Sequence, residues 1–161
     1  MSVYQRAISK DKSISDLGRE AMWFLIHTLL AVAALVLVVG GMSLAHPDPD
    51  TATPKLLATA LALLVPMAFG YLLTRLHHNE IARYVWISGL LLFSVVCVWV
   101  LDLPTGNGLC EHCGAVEKLW RTFFSIDSGS GLMGGDGLLV GSWLPLSMIG
   151  YAVGSALGFG R

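Results

Sequence analysis

Four long stretches without a charged residue constrain this chain more than any other feature of its sequence. They cover residues 22–45, 56–73, 84–101 and 137–159, and none contains Asp, Glu, Lys or Arg. A helix needs about 20 apolar residues to cross a hydrocarbon layer roughly 30 Å thick. Strands of a membrane barrel would alternate apolar and polar residues, and these stretches do not. The sequence therefore predicts an all-α integral membrane protein with four transmembrane helices.

The composition excludes several other classes of protein. Hydrophobic residues make up 55% of the 161 residues and charged residues 13%, whereas about a quarter of a typical soluble domain is charged. A soluble domain of this size could not bury so much apolar surface. Disordered chains are poor in apolar residues. The net charge of −1 supplies no basic surface for nucleic acid, so we expect no nucleic-acid partner.

The distribution of Lys and Arg predicts the orientation in the membrane. Residues 1–21 are mostly polar, and the apolar stretch after them is longer than that of a cleaved signal peptide, so we expect it to be retained. Seven of the ten Lys and Arg residues fall on one side of the predicted helices: Arg6, Lys10, Lys12, Arg19, Arg75, Arg83 and Arg161. Positively charged flanks stay in the cytoplasm. Both termini and the turn 74–83 are therefore expected inside, with loops 46–55 and 102–136 outside, in a bacterial inner membrane.

The second outer loop contains a helical pattern. Five apolar residues recur at the spacing of one helix face: Val116, Leu119, Trp120, Phe123 and Phe124. This pattern predicts a short amphipathic helix over residues 114–124. We expect it to lie flat on the outer leaflet or on a partner subunit, or to cover the ends of the protein's own helices.

The fourth apolar stretch carries a packing signal. Gly150, Gly154 and Gly158 recur every four residues. Small residues at this spacing form a groove in which a second helix can approach closely. The neighbour could be another helix of the same chain or a helix of another subunit, and the sequence leaves both interpretations open.

The outer loop also contains a C-x-x-C motif, formed by Cys110 and Cys113. Such a motif can be a structural disulfide, a redox-active dithiol or part of a metal site, for which His112 would supply a further ligand. A four-helix layout with an outward C-x-x-C resembles that of the membrane thiol oxidases that form disulfide bonds. Those proteins carry more outward cysteines than this chain, so no residue roles are transferred from them.

Three histidines lie near the predicted cytoplasmic side. His27 falls inside the first apolar stretch, and His77 and His78 follow the second. A pair such as His27 and His77 could ligate a b-type haem. Alternatively, His27 is a hydrogen-bonded histidine inside the helix bundle, and His77 and His78 mark the end of a helix.

These features favour a structural role over catalysis. Ion pumps and proton relays place ionisable groups within the membrane, and the four stretches contain no carboxylate, Lys or Arg. We expect a non-catalytic subunit or scaffold of a larger membrane complex or homo-oligomer, without a cofactor. The alternative is a membrane redox protein that uses Cys110 and Cys113, a bound metal, or a haem on His27 and His77.

Overall fold

The computed structural model describes residues 3–45, 53–102, 113–124 and 140–160. Within these ranges the chain is helical and contains no strand. The helices are α1 (Val3–Ala45), α2 (Thr53–Leu76), a 3-10 helix (Glu80–Tyr84), α3 (Trp86–Asp102), α4 (Ala115–Phe123) and α5 (Val140–Phe159). The all-α prediction is confirmed for the described residues.

Three helical stretches are long and apolar enough to cross a membrane. They are Asp16–Ala45, Leu56–Leu76 and Glu80–Asp102. The fourth predicted span, which contains α5, is not among them.

Helix bounds differ from the predicted spans mainly at their ends. The helix α1 begins at Val3, far ahead of the predicted start at residue 22, because a helix extends at little cost once it has formed and residues 3–21 contain no proline.

The turn between α2 and α3 is compact. Its Asn79 side chain accepts a hydrogen bond of 3.1 Å from the Ile81 amide and so caps the 3-10 helix.

The helix α5 lies at the centre of the molecule and contacts every other helix. It packs most extensively on α2, and the two helices run in the same direction. At one end, Trp143 Nε1 donates a 2.9 Å hydrogen bond to Thr59 Oγ1. At the other end, Gly158 lies beside Thr74. Residue numbers therefore rise together along the contact.

The helices α1 and α3 run antiparallel to α2 and α5. Gly89 of α3 contacts Met148, and the neighbouring core combines Ala31, Ala82, Val85, Met148 and Tyr151. We call the end of the bundle at residues 77–79 the turn end. Trp23 of α1 and Phe159 of α5 both contact histidines of the turn end.

Candidate functional site

His27 is buried within the bundle, with 4% of its surface exposed. Its Nδ1 lies 2.7 Å from the Tyr151 hydroxyl oxygen. This hydrogen bond joins α1 to α5 across 124 residues of sequence, and the donor depends on the tautomer of the imidazole. The interpretation of His27 as a hydrogen-bonded histidine inside the bundle agrees with this contact.

Two buried polar atoms near the turn end have no hydrogen-bond partner among the described residues. They are His27 Nε2 and Thr74 Oγ1. An unsatisfied buried polar group costs about 1–3 kcal/mol, and native structures contain few of them. The free imidazole nitrogen is able to bind a hydroxyl or carbonyl group, or to ligate a metal.

His27 and His77 both contact the indole of Trp23. The indole of Trp23 lies 6.0 Å from the His27 ring and 5.6 Å from the His77 ring, measured between ring centroids. His78 packs instead edge-on against Phe159 at 5.5 Å. Two axial ligands of a haem face each other across the iron, whereas these two imidazoles contact a common indole. The haem hypothesis remains a prediction.

The glycines of α5 are used within the chain. A Cβ atom on Gly150 would overlap the Leu63 carbonyl oxygen, and one on Gly154 would overlap the Met67 carbonyl oxygen. Gly158 has slightly more room, because a Cβ there would lie 3.1 Å from the Tyr71 carbonyl oxygen. The predicted groove exists, and α2 of the same chain occupies it. Of the two interpretations left open, the structure shows packing within the chain.

The predicted amphipathic helix is present as α4, with Gly114 at its N-cap position. Its five predicted apolar residues do not share one environment. Phe123 is buried, and its ring centroid lies 4.7 Å from that of Phe93 on α3. Leu119 packs near Val100. Because Leu119 lies near Val100 and Phe123 near Phe93, α4 runs antiparallel to α3 and packs on its own chain.

The remaining apolar residues of α4 form a second, exposed face. Val116 is 81% exposed, Trp120 60% and Phe124 59%. We call these residues the outward stripe. The polar residues Lys118 and Thr122 are buried instead. The apolar spacing predicted the helix correctly, but it could not show which of the apolar residues pack on the bundle.

The C-x-x-C motif falls mostly outside the described residues, which include Cys113 but not Cys110 or His112. Cys113 is disulfide-bonded, and it packs beside Val100 at the start of α4. Its partner lies outside the described residues, so the Cys110–Cys113 bridge remains a prediction. Cys97 on α3 is a free thiol. Within the described ranges no group of three metal-ligating side chains occurs, and the metal hypothesis is untested.

The structure also contains an apolar groove that the sequence did not predict. It lies where α3, α4 and α5 meet and has a volume of about 260 Å³. Its lining includes Gly89, Leu90, Phe93, Phe124, Pro145 and Ile149. Three separate helices supply these residues, so no local pattern could indicate the groove.

Comparison with protein-family models, curated proteins and solved structures found no match for this chain.

Proposed function

We propose that this chain is a polytopic membrane protein that serves as a non-catalytic subunit or scaffold of a larger membrane assembly. Its three candidate spans expose large apolar side chains along their outer faces, among them Leu29, Leu64 and Leu91. Such surfaces are stable in contact with lipid or with another apolar helix.

The outward stripe of α4 is the observation that carries the proposal. This helix is already attached to the bundle through Leu119 and Phe123. Its second apolar face is therefore not needed for packing within the described part of the chain. Contiguous exposed apolar residues mark interaction surfaces, and Trp is the residue type most enriched among the energetically dominant positions of protein interfaces. We assign the stripe to contact with a partner subunit.

The proposal includes α5 as a fourth membrane span. Its 20 residues measure about 30 Å as an α-helix, which is the thickness of the hydrocarbon layer. The parallel packing of α2 and α5 supports this assignment, because one antiparallel span, α3, separates them along the chain. Together with the Lys and Arg distribution, this packing supports the proposal that both termini lie in the cytoplasm of a bacterium.

The glycine contacts limit which surface a homo-oligomer could use. Because Gly150 and Gly154 contact the backbone of α2, a second copy cannot use the same groove. An oligomer would have to form through another surface, and the outward stripe is the candidate.

Site-specific photocrosslinking in native membranes tests the proposal. A photoreactive residue in place of Trp120 is expected to form an adduct with a specific protein that also copurifies with the unmodified chain in mild detergent. The matched control is Leu72, which is 57% exposed on α2 and is expected to yield lipid adducts alone. If position 120 also yields lipid adducts alone, the subunit proposal is wrong and the stripe is a membrane-interface element.

A second candidate function is thiol–disulfide exchange through Cys110 and Cys113. One observation favours it: Cys113 directly precedes the N-cap residue of α4, and a helix N-terminus stabilises a thiolate. Counting alkylated thiols with and without reductant tests it. A pair that cycles with a reduction potential near that of cellular redox partners supports exchange, and a pair that resists reduction supports a structural bridge.

A further inference from the structure

We propose that the groove between α3, α4 and α5 is a binding site for one acyl chain of a phospholipid. Nothing in this proposal depends on a partner protein. It requires only that α3 and α5 lie in the bilayer, so it can fail while the subunit proposal stands, and the reverse also holds.

The position of the groove determines what lies next to it. Gly89, Leu90 and Phe93 occupy the middle of the candidate span Glu80–Asp102. At about 1.5 Å per residue, Leu90 lies roughly 18 Å along the axis from Asp102. That depth is well inside a hydrocarbon layer about 30 Å thick. At this level the neighbours of an outward-facing groove are hydrocarbon chains, because water and polar headgroups are excluded.

The rim of the groove faces away from the bundle. Leu90 and Ile149 are each exposed over more than a third of their surface, and both line the groove. A chain in the bilayer can therefore enter from the side without displacing a packed helix. Gly89 lines the groove and lets α3 approach α5 closely, because a Cβ there would lie 2.8 Å from Met148 Cβ.

The size and chemistry of the groove fit one unbranched chain. A methylene fills about the same volume as a liquid water molecule, roughly 30 Å³. The volume of about 260 Å³ therefore holds about eight or nine methylenes. A whole helix, about 10 Å across, is too wide. The aromatic rings of Phe93 and Phe123, with centroids 4.7 Å apart, line the groove beside α4.

Binding of lipid to delipidated protein tests the proposal. The probe is palmitoyl-oleoyl phosphatidylglycerol, titrated into the full chain in detergent and followed by native mass spectrometry. The variant Ile149→Trp fills the groove and is expected to weaken the tightest lipid-binding step by about tenfold, the loss that corresponds to about two methylenes of burial. The smaller Ile149→Phe serves if the tryptophan variant does not fold.

Val153→Trp is the matched control. Val153 lies one turn further along α5, is 45% exposed against 41% for Ile149, and does not line the groove. It is expected to bind lipid as the unmodified chain does. If the tightest step is unchanged in both Ile149 variants, or weakened equally by Val153→Trp, the groove is not the site.

A second measurement separates lipid from protein occupants. A phosphatidylcholine with a diazirine near the methyl end of one chain is expected to label peptides that contain Leu90 or Ile149. If a photoreactive residue at Phe93 instead crosslinks to a second copy or to another protein, a side chain fills the groove and the acyl-chain proposal is wrong.

Discussion

At the scale of single residues, one buried hydrogen bond connects α1 to α5 inside the bundle. His27 and Tyr151 bond at 2.7 Å within a core of mainly small side chains. The imidazole has one partnered nitrogen and one nitrogen without a partner among the described residues. Loss of the remaining partner would leave a buried imidazole with no hydrogen bond, which makes this pair a sensitive point of the fold.

Removal of the Tyr151 hydroxyl tests that sensitivity. We expect Tyr151→Phe to lower the free energy of unfolding by about 1–3 kcal/mol, because it leaves His27 Nδ1 buried without a partner. The measurement is reversible unfolding in mixed detergent micelles. Tyr84→Phe is the control, because the Tyr84 hydroxyl bonds Arg83 at the surface, and we expect a change within about 0.5 kcal/mol. Equal stability of the two variants would show that the His27–Tyr151 bond contributes nothing.

The sequence could identify His27 but not its function in the fold. A histidine within an apolar stretch is visible from composition alone, and it suggested either a haem ligand or a hydrogen-bonded residue. Tyr151 lies 124 residues away and no local pattern links the two. The same limit applies to Thr74, whose burial depends on the packing of α2 against α5.

At the scale of helices, spacing predicted more than composition did. The four-residue repeat of Gly150, Gly154 and Gly158 predicted a close helix contact, and α2 makes it. The repeat could not identify the neighbour, because a glycine groove accepts any helix with a suitable surface. For α4 the spacing gave the helix almost to the residue. It could not separate the docked residues from the outward stripe, since both sets are apolar.

A single added methyl group tests the contact between α2 and α5. We expect Gly154→Ala to destabilise the protein by about 1–3 kcal/mol, because the new Cβ overlaps the Met67 carbonyl and the helices must separate. Gly40→Ala is the matched control, since a Cβ on Gly40 meets nothing within 4 Å and alanine favours helix by about 0.5–1 kcal/mol. A Gly154→Ala variant as stable as Gly40→Ala would contradict the close packing.

At the scale of the whole molecule, many of the buried residues are small, and many large apolar residues face outward. The buried core contains Ala31, Ala34, Ala58 and Ala62, whereas leucines such as Leu25, Leu37 and Leu91 are exposed. A soluble protein shows the opposite arrangement. Helices in lipid associate by close packing, since lipid is already apolar, and small residues permit that approach.

Epitope tags inserted at three described positions test the overall topology. We expect tags at His78 and after Gly160 to be accessible from one side of the membrane, because both positions lie at the turn end. A tag at Gly114 is expected on the opposite side. Protease protection in sealed inverted vesicles measures all three. If His78 and Gly160 were accessible from different sides, α5 would not cross the bilayer, and the fourth span would be wrong.

The backbone contact between α2 and α5 also affects the order of assembly during synthesis. The surface of α2 around Leu63 and Met67 is shaped to receive glycines that the ribosome adds more than eighty residues later. Until α5 enters the bilayer, the helices before it lack the central neighbour that all of them contact. A chain that stops before Gly150 is therefore expected to remain a loose set of inserted helices, open to membrane proteases. The close packing of α2 thus has to wait for the synthesis of α5.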